Sequence, residues 1–132
     1  MEEARDLGRE ISRGMVTLMK RYVGRGPTHA RTYLEDSLVV TLLEDTMTQA
    51  ERTLAGDQEE ETVRELRRVF QHGSFRDEAI ELVEGIVGRT VLAFLSDHAV
   101  QPDYAVEVFV LQSEHGSREG AERAVTEGTA AA

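Results

Sequence analysis

Tyr22-Val23-Gly24-Arg25-Gly26-Pro27 is the stretch of this chain whose residue types and spacing come nearest to a binding site. Two glycines and a proline set an unusual backbone path, and Arg25 sits between the glycines. Backbone N–H groups of a glycine-rich turn can cradle an anion. Arg25 and nearby Arg31 add planar fork donors, with His29 between them. The candidate ligand site is therefore Gly24, Arg25, Gly26, His29 and Arg31, and it suits a small anion such as bicarbonate or phosphate. The competing reading is a helix stop with solvent-facing arginines. The loop ends a helix rather than opening one, so the helix macrodipole gives an anion no help.

Ser96-Asp97-His98 is a second polar cluster. An aspartate beside a histidine can orient a general base or help hold a cation. Neighbouring strand residues point to opposite faces, however, so these two side chains would not meet directly. A polar turn at a strand end is the competing reading. A third candidate is the acidic run Asp57, Glu59, Glu60 and Glu61. Its carboxylates diverge around a helix axis rather than converging on one ion, and negative charge is favourable at a helix start in any case. Other chemistry is not signalled. His29, His72, His98 and His115 have no metal-ligand spacing, and there is no nucleotide fingerprint, Walker loop or nucleophile elbow. The expectation is a non-catalytic protein without metal or cofactor, with a small enzyme using Asp97, His98 or His29 ranked below it.

Composition narrows the partners. The chain has 132 residues and a net charge of -10. Affinity for nucleic acid comes mainly from neutralising phosphates, so this charge argues against it, and against general attraction to anionic lipid. With no cysteine, disulfides and thiolate metal sites are excluded. The opening Met1-Glu2-Glu3-Ala4-Arg5-Asp6 is unlike a signal peptide, and no apolar run reaches the ~18 residues of a membrane span. A cytoplasmic location, peripheral to a membrane complex at most, is the expectation.

The elements that must position these residues follow from periodicity. Leu7, Ile11, Met15, Leu18, Met19 and Tyr22 form one stripe of a helix over 5–23, capped by Gly24 and stopped by Pro27. Thr32–Glu35 and Leu38–Leu43 read as strands joined at Asp36-Ser37. Thr48-Gln49-Ala50-Glu51 is a capping box opening a short helix. A long helix runs on to about Gly85 with Val63, Leu66 and Phe70 on its apolar stripe, and His72-Gly73-Ser74 predicts a kink or split, with Ser74 capping the second segment. Thr90–Asp97 and Tyr104–Gln112 form the second strand pair, and residues 113–132 read as a mobile tail.

Tyr22-Val23-Gly24-Arg25 is echoed by Ile86-Val87-Gly88-Arg89, each followed by a hairpin. A duplicated helix-strand-strand unit accounts for both. The predicted fold is an α+β two-layer sandwich in the order α-β-β-α-α-β-β: a domain over 1–112 whose four-stranded antiparallel sheet carries helices on one face. Val39, Leu43, Phe109 and Leu111 are expected on the opposite face, where apolar side chains point to a homodimer.

Taken in order, Gly24-Arg25-Gly26-Pro27, Arg31-Thr32-Tyr33, the Leu38–Leu43 strand and the Thr48-x-x-Glu51 cap resemble the MpsC-like family. Val63-Arg64 through Arg68-x-Phe70, Gly88, Ser96-Asp97 and the Val106–Leu111 strand extend the resemblance over about residues 5–112. It departs from the family at His72-Gly73-Ser74, which interrupts a helix that is continuous there. The resemblance implies a small soluble bacterial protein serving cation or inorganic-carbon uptake at the membrane, with a membrane transport protein as partner. It supplies no catalytic residues.

Overall fold

Glycine stops two helices of this chain in the same way, and the stops mark out two similar halves. The computed structural model describes residues 2–113, and the tail expected beyond that point lies outside the described residues. The elements run α1 (Glu2–Val23), β1 (His29–Glu35), β2 (Leu38–Glu44), α2 (Gln49–Gly56), α3 (Glu60–Gln71), α4 (Ser74–Val87), β3 (Val91–Ala99) and β4 (Tyr104–Leu111). Gly24 and Gly88, which follow α1 and α4, have φ of 93° and 70°, a left-handed geometry that a Cβ would strain. Their N–H groups donate to the carbonyls of Lys20 and Glu84, each at 2.9 Å. The arginines that follow both bind main chain: Arg25 the Met47 carbonyl at 2.7 Å, Arg89 the carbonyls of Asp36 and Gln112. Each helix then feeds a hairpin, and the sheet order is β1-β2-β4-β3, antiparallel throughout. The units α1-β1-β2 and α4-β3-β4 are thus related by an approximate two-fold axis between β2 and β4. The duplication read from the repeated helix-stop word is present in the topology.

The remaining helices bridge the halves. Glu51 N donates to the Thr48 hydroxyl at 3.2 Å, and Thr48 N donates to the Glu51 carboxylate at 2.9 Å, completing the capping box of α2. The long helix is split at His72-Gly73 into α3 and α4. The cap there differs from expectation: Gly73 occupies the capping position and no side chain caps α4. β1 starts at His29 and β3 runs to Ala99, longer than their apolar residues suggest, because antiparallel pairing continues through His29↔Glu44 and Ala99↔Tyr104.

The sheet faces are the reverse of the expected ones. Val39, Leu43, Phe109 and Leu111 lie under the helices, in one core with Ile11 and Met15 of α1 and Phe75 and Val83 of α4. Period two separates two faces without saying which is buried, and the buried one here also carries a charged residue, Glu107, which is 2% exposed. The uncovered face carries Leu38, Val40, Leu42, Val106, Val108 and Val110, flanked by Tyr33 and Leu95 at 58% and 56% exposure. No helix of the described residues is long and apolar enough to cross a membrane.

Candidate functional site

The two polar clusters meet at one end of the sheet, where β2 leaves, β1 enters and the β3–β4 turn closes. Arg25 is held there by both guanidinium arms: its Nη1 and Nη2 lie 3.2 and 3.0 Å from the Asp45 carboxylate. Arg52 pairs with the same carboxylate. The bond from Arg25 holds the Asp45 carboxyl below its usual range. Asp45 N in turn donates to the Asp103 carbonyl at 3.1 Å, which ties the arginine loop to the turn after β3.

His98 is bound on the other side of that turn. Asp97 points outward and His98 inward, and the partner of His98 is Asp103, whose Oδ1 is 2.9 Å from the imidazole Nε2. Asp103 also accepts from the Thr46 hydroxyl at 3.1 Å and from Met47 N at 2.8 Å. Burial alone would raise the Asp103 pKa, but these donors outweigh it and hold the carboxyl at about 2. An ionised carboxylate only accepts, so His98 donates to it from Nε2. Folded-state pKa below the unfolded value means stability present above pH 3.8 and lost as pH falls toward 2. The expected loss is about 2 kcal/mol across that window. An Asp103→Asn variant should lack it, which acid titration of chemical denaturation midpoints would show; an unchanged acid limb would assign that loss to other carboxylates.

Beneath this network lies a buried ion pair. Arg67 of α3 donates from Nε to Glu51 at 2.7 Å, from Nη2 to the other Glu51 oxygen at 2.9 Å, and from Nη2 to the Thr46 carbonyl at 3.0 Å. Burial raises the Glu51 pKa, and the bonds from Arg67 and Thr48 reverse that into a net lowering. Sequence periodicity places Leu66 on the buried stripe of α3. Leu66 is 45% exposed and Arg67 is 4% exposed. The signal that could have found Arg67 is its own spacing: Val63, Arg67 and Phe70 stand at i, i+4 and i+7 on the core side.

Glu107 completes the set. It lies in one row across the helix-side face with Thr32, Thr41 and Ser96, one residue from each strand. On one side of that row Ser12 bonds Thr32 at 2.8 Å, and Thr32 bonds Thr41 at 2.9 Å. Burial pushes the Glu107 carboxyl up to about 8, with the Ser96 hydroxyl and the charge of Arg67 offsetting only part of the shift. Glu107 Oε2 and His98 Nδ1 have no hydrogen-bond partner. Both residues border a cavity of about 20 Å³ walled by Met19, Tyr22, Phe70 and Phe75. That volume fits one water molecule. Arg67, His98 and Glu107 thus converge on an apolar-walled cavity, an arrangement suited to holding a proton or a water in place.

The rest of the predicted anion site is placed differently. Arg31 lies on the uncovered face of β1 and pairs with Glu44 at 3.3 Å, while His29 is exposed at the start of the strand. Arg25 and Arg31 therefore serve different carboxylates. Among the described residues no group of three His, Asp or Glu side chains is placed to hold a metal ion.

No curated protein and no solved structure matches the chain. A family model does, over residues 3–113, nearly all of the described fold. It describes a Na+-translocating membrane potential-generating system (MpsC). The duplicated α-β-β unit and the loop at Gly24–Pro27 both fall inside that match, and the chain belongs to the MpsC family.

Proposed function

We propose that this chain is a non-catalytic accessory module of a membrane-potential-generating cation system, such as one driving inorganic-carbon uptake, and that it works as a homodimer beside a membrane transport protein. The family description supports the system. The observation that supports self-association is the uncovered sheet face, whose central strands present Val40, Leu42, Val106 and Val108 outward. Contiguous apolar surface of this kind marks interaction sites in soluble domains. The expected result is a dimer of about twice 14.7 kDa by multi-angle light scattering at tens of micromolar. A monomer throughout that range would remove the homodimer from this reading.

Anion binding is the second reading, favoured by one observation. Arg5, Arg9 and Arg13 of α1 and Arg31 of β1 line an open groove of about 420 Å³, alongside Ser12 and Thr32. In a chain of net charge -10 this is a local concentration of fork donors suited to carboxylate, bicarbonate or phosphate. Millimolar phosphate or bicarbonate should raise the melting temperature by binding linkage, and Arg9→Ala/Arg13→Ala should abolish the rise. A rise that survives in the double variant would place the anion elsewhere, with the Gly24–Pro27 loop and Arg25→Ala next to test.

A further inference from the structure

We infer that the uncovered sheet face seats a second copy of this chain, packed sheet to sheet about a two-fold axis parallel to the strands. This rests on the homodimer reading and names its interface and symmetry. The pairing register places the outward residues in rows across the sheet. One row is Arg31, Leu42, Val106 and Asp97, and the next is Tyr33, Val40, Val108 and Leu95. The first row has a cation on edge strand β1 and an anion on edge strand β3, with two aliphatic residues between. Asp97 is exposed and has no cationic partner among the described residues. An apolar band bounded by opposite charges on its two edges is self-complementary under one rotation only.

A two-fold axis parallel to the strands keeps each row at its own level and reverses the strand order. β1 of one copy then lies over β3 of the other. Arg31 faces the partner's Asp97 at both edges, Tyr33 faces the partner's Leu95, and Val40 faces the partner's Val108 in the middle. Every charge meets its opposite or the rim. The alternative in-plane axis, across the strands, lays β1 over β1 and exchanges the two rows. It sets Arg31 over Tyr33 and Asp97 over Leu95, so Arg31 keeps only Glu44 of its own copy and Asp97 lies against an apolar side chain with no cation. Burying a charge unpaired is far costlier than burying it paired, so the charge pattern selects the first arrangement. Aligned sheets pack about 10 Å apart, a gap that long side chains at the two edges can span. Four strands of about seven residues cover roughly 19 by 23 Å. With about sixteen outward residues a side, that is smaller than a standard interface and in the range of weak ones, and a dimer constant no tighter than micromolar is expected.

Sedimentation equilibrium on the full chain and three variants tests this. Val108→Arg, at the centre, should give a folded monomer by circular dichroism. Asp97→Arg sets like charges together twice per dimer and should weaken association by about tenfold, with the effect shrinking in high salt. Arg31→Asp/Asp97→Arg should restore the constant to within about threefold, because the pairs re-form with signs exchanged. The double variant also sets the carboxylate introduced on β1 beside Glu44 within one copy, a cost present in monomer and dimer alike that cancels in the association constant. If the wild-type chain dimerises but neither Val108→Arg nor the charge reversal changes the constant, the interface is overturned while the homodimer stands. A dimer broken by Val108→Arg but not rescued by the double variant keeps the face and overturns the axis. A wild-type monomer overturns both.

Discussion

Replacing Arg67 by methionine is expected to lower the unfolding free energy by about 3–5 kcal/mol, the usual consequence of leaving one member of a buried ion pair uncompensated. For a chain of this length that corresponds to a fall in melting temperature on the order of 10–20 °C. The side chains of Arg67 and Glu51 are only 5% and 4% exposed, and their contact is bidentate. The methionine would strand the Glu51 carboxylate and orphan the Thr46 carbonyl. Glu51 also completes the α2 capping box, so the damage should reach α2 and the turn holding Asp103. The pH dependence identifies the cause. In the wild type the Glu51 pKa is lowered from 4.5, so its contribution is present above pH 4.5 and fades on acidification. In Arg67→Met only the Thr48 bonds still oppose burial, the Glu51 pKa rises, and the variant loses less stability than the wild type as pH falls. The gap between the two proteins should therefore narrow below about pH 5. Glu51→Gln/Arg67→Met should recover more than half of the loss at pH 7. A loss under about 1 kcal/mol, or one independent of pH, would mean that Arg67 acts by packing alone.

The elements of this fold were legible because each is announced locally. The stripe of α1, the αL stops at Gly24 and Gly88, the capping box at Thr48 and the break at His72-Gly73 all depend on residues within a few positions of one another. The repeated Val-Gly-Arg word pointed to the duplicated α-β-β unit but not to the strand order, because two hairpins can join through either edge and only the β2–β4 pairing across the fold decides it. The site was legible only in part. Arg25 and His98 were singled out, but their partners Asp45 and Asp103 are 20 and 5 residues away, and pairing across a fold has no local signature. Arg67 and Glu107 were missed for a common reason. Each is a charged residue on a buried face, and reading charge as exposure rotates α3 by one residue and turns the sheet over. Periodicity with charge ignored would have put Arg67 inside, between Val63 and Phe70, but in β4 the alternation is as well met by Val106, Val108 and Val110, so only the packing of the helices decides that Glu107 is buried.

Glu107 is where that burial should have its largest titratable effect. Its carboxyl is raised from 4.5 to about 8. A folded-state pKa above the unfolded one means that the folded protein holds a proton which the unfolded chain gives up, so stability falls as pH rises from about 4.5 and levels off above about 8. At pH 7 the cost is about 3 kcal/mol relative to pH 4. Glu107→Gln preserves the shape of the neutral acid and cannot ionise. It should be about as stable as the wild type near pH 4 and more stable by about 3 kcal/mol at pH 7, with a flatter profile between. Urea denaturation at half-unit pH steps would measure the difference. Equal slopes for the two proteins would show that Glu107 is ionised in the fold, and a variant weaker at every pH would show that the amide fits this buried place worse than the carboxyl does. A side chain that costs stability at neutral pH is one that packing does not explain, since an apolar residue would fill the same place between Thr41 and Ser96 without the penalty. Its free oxygen borders the same small cavity as the unpartnered Nδ1 of His98 and the guanidinium of Arg67. With its carboxyl raised to about 8 inside that cavity, proton release there is expected to be linked to the packing of α1, α3 and the sheet around it. Followed through tyrosine fluorescence, to which Tyr22 at the cavity wall contributes beside Tyr33 and Tyr104, the wild type is expected to show a transition near pH 8 that Glu107→Gln lacks.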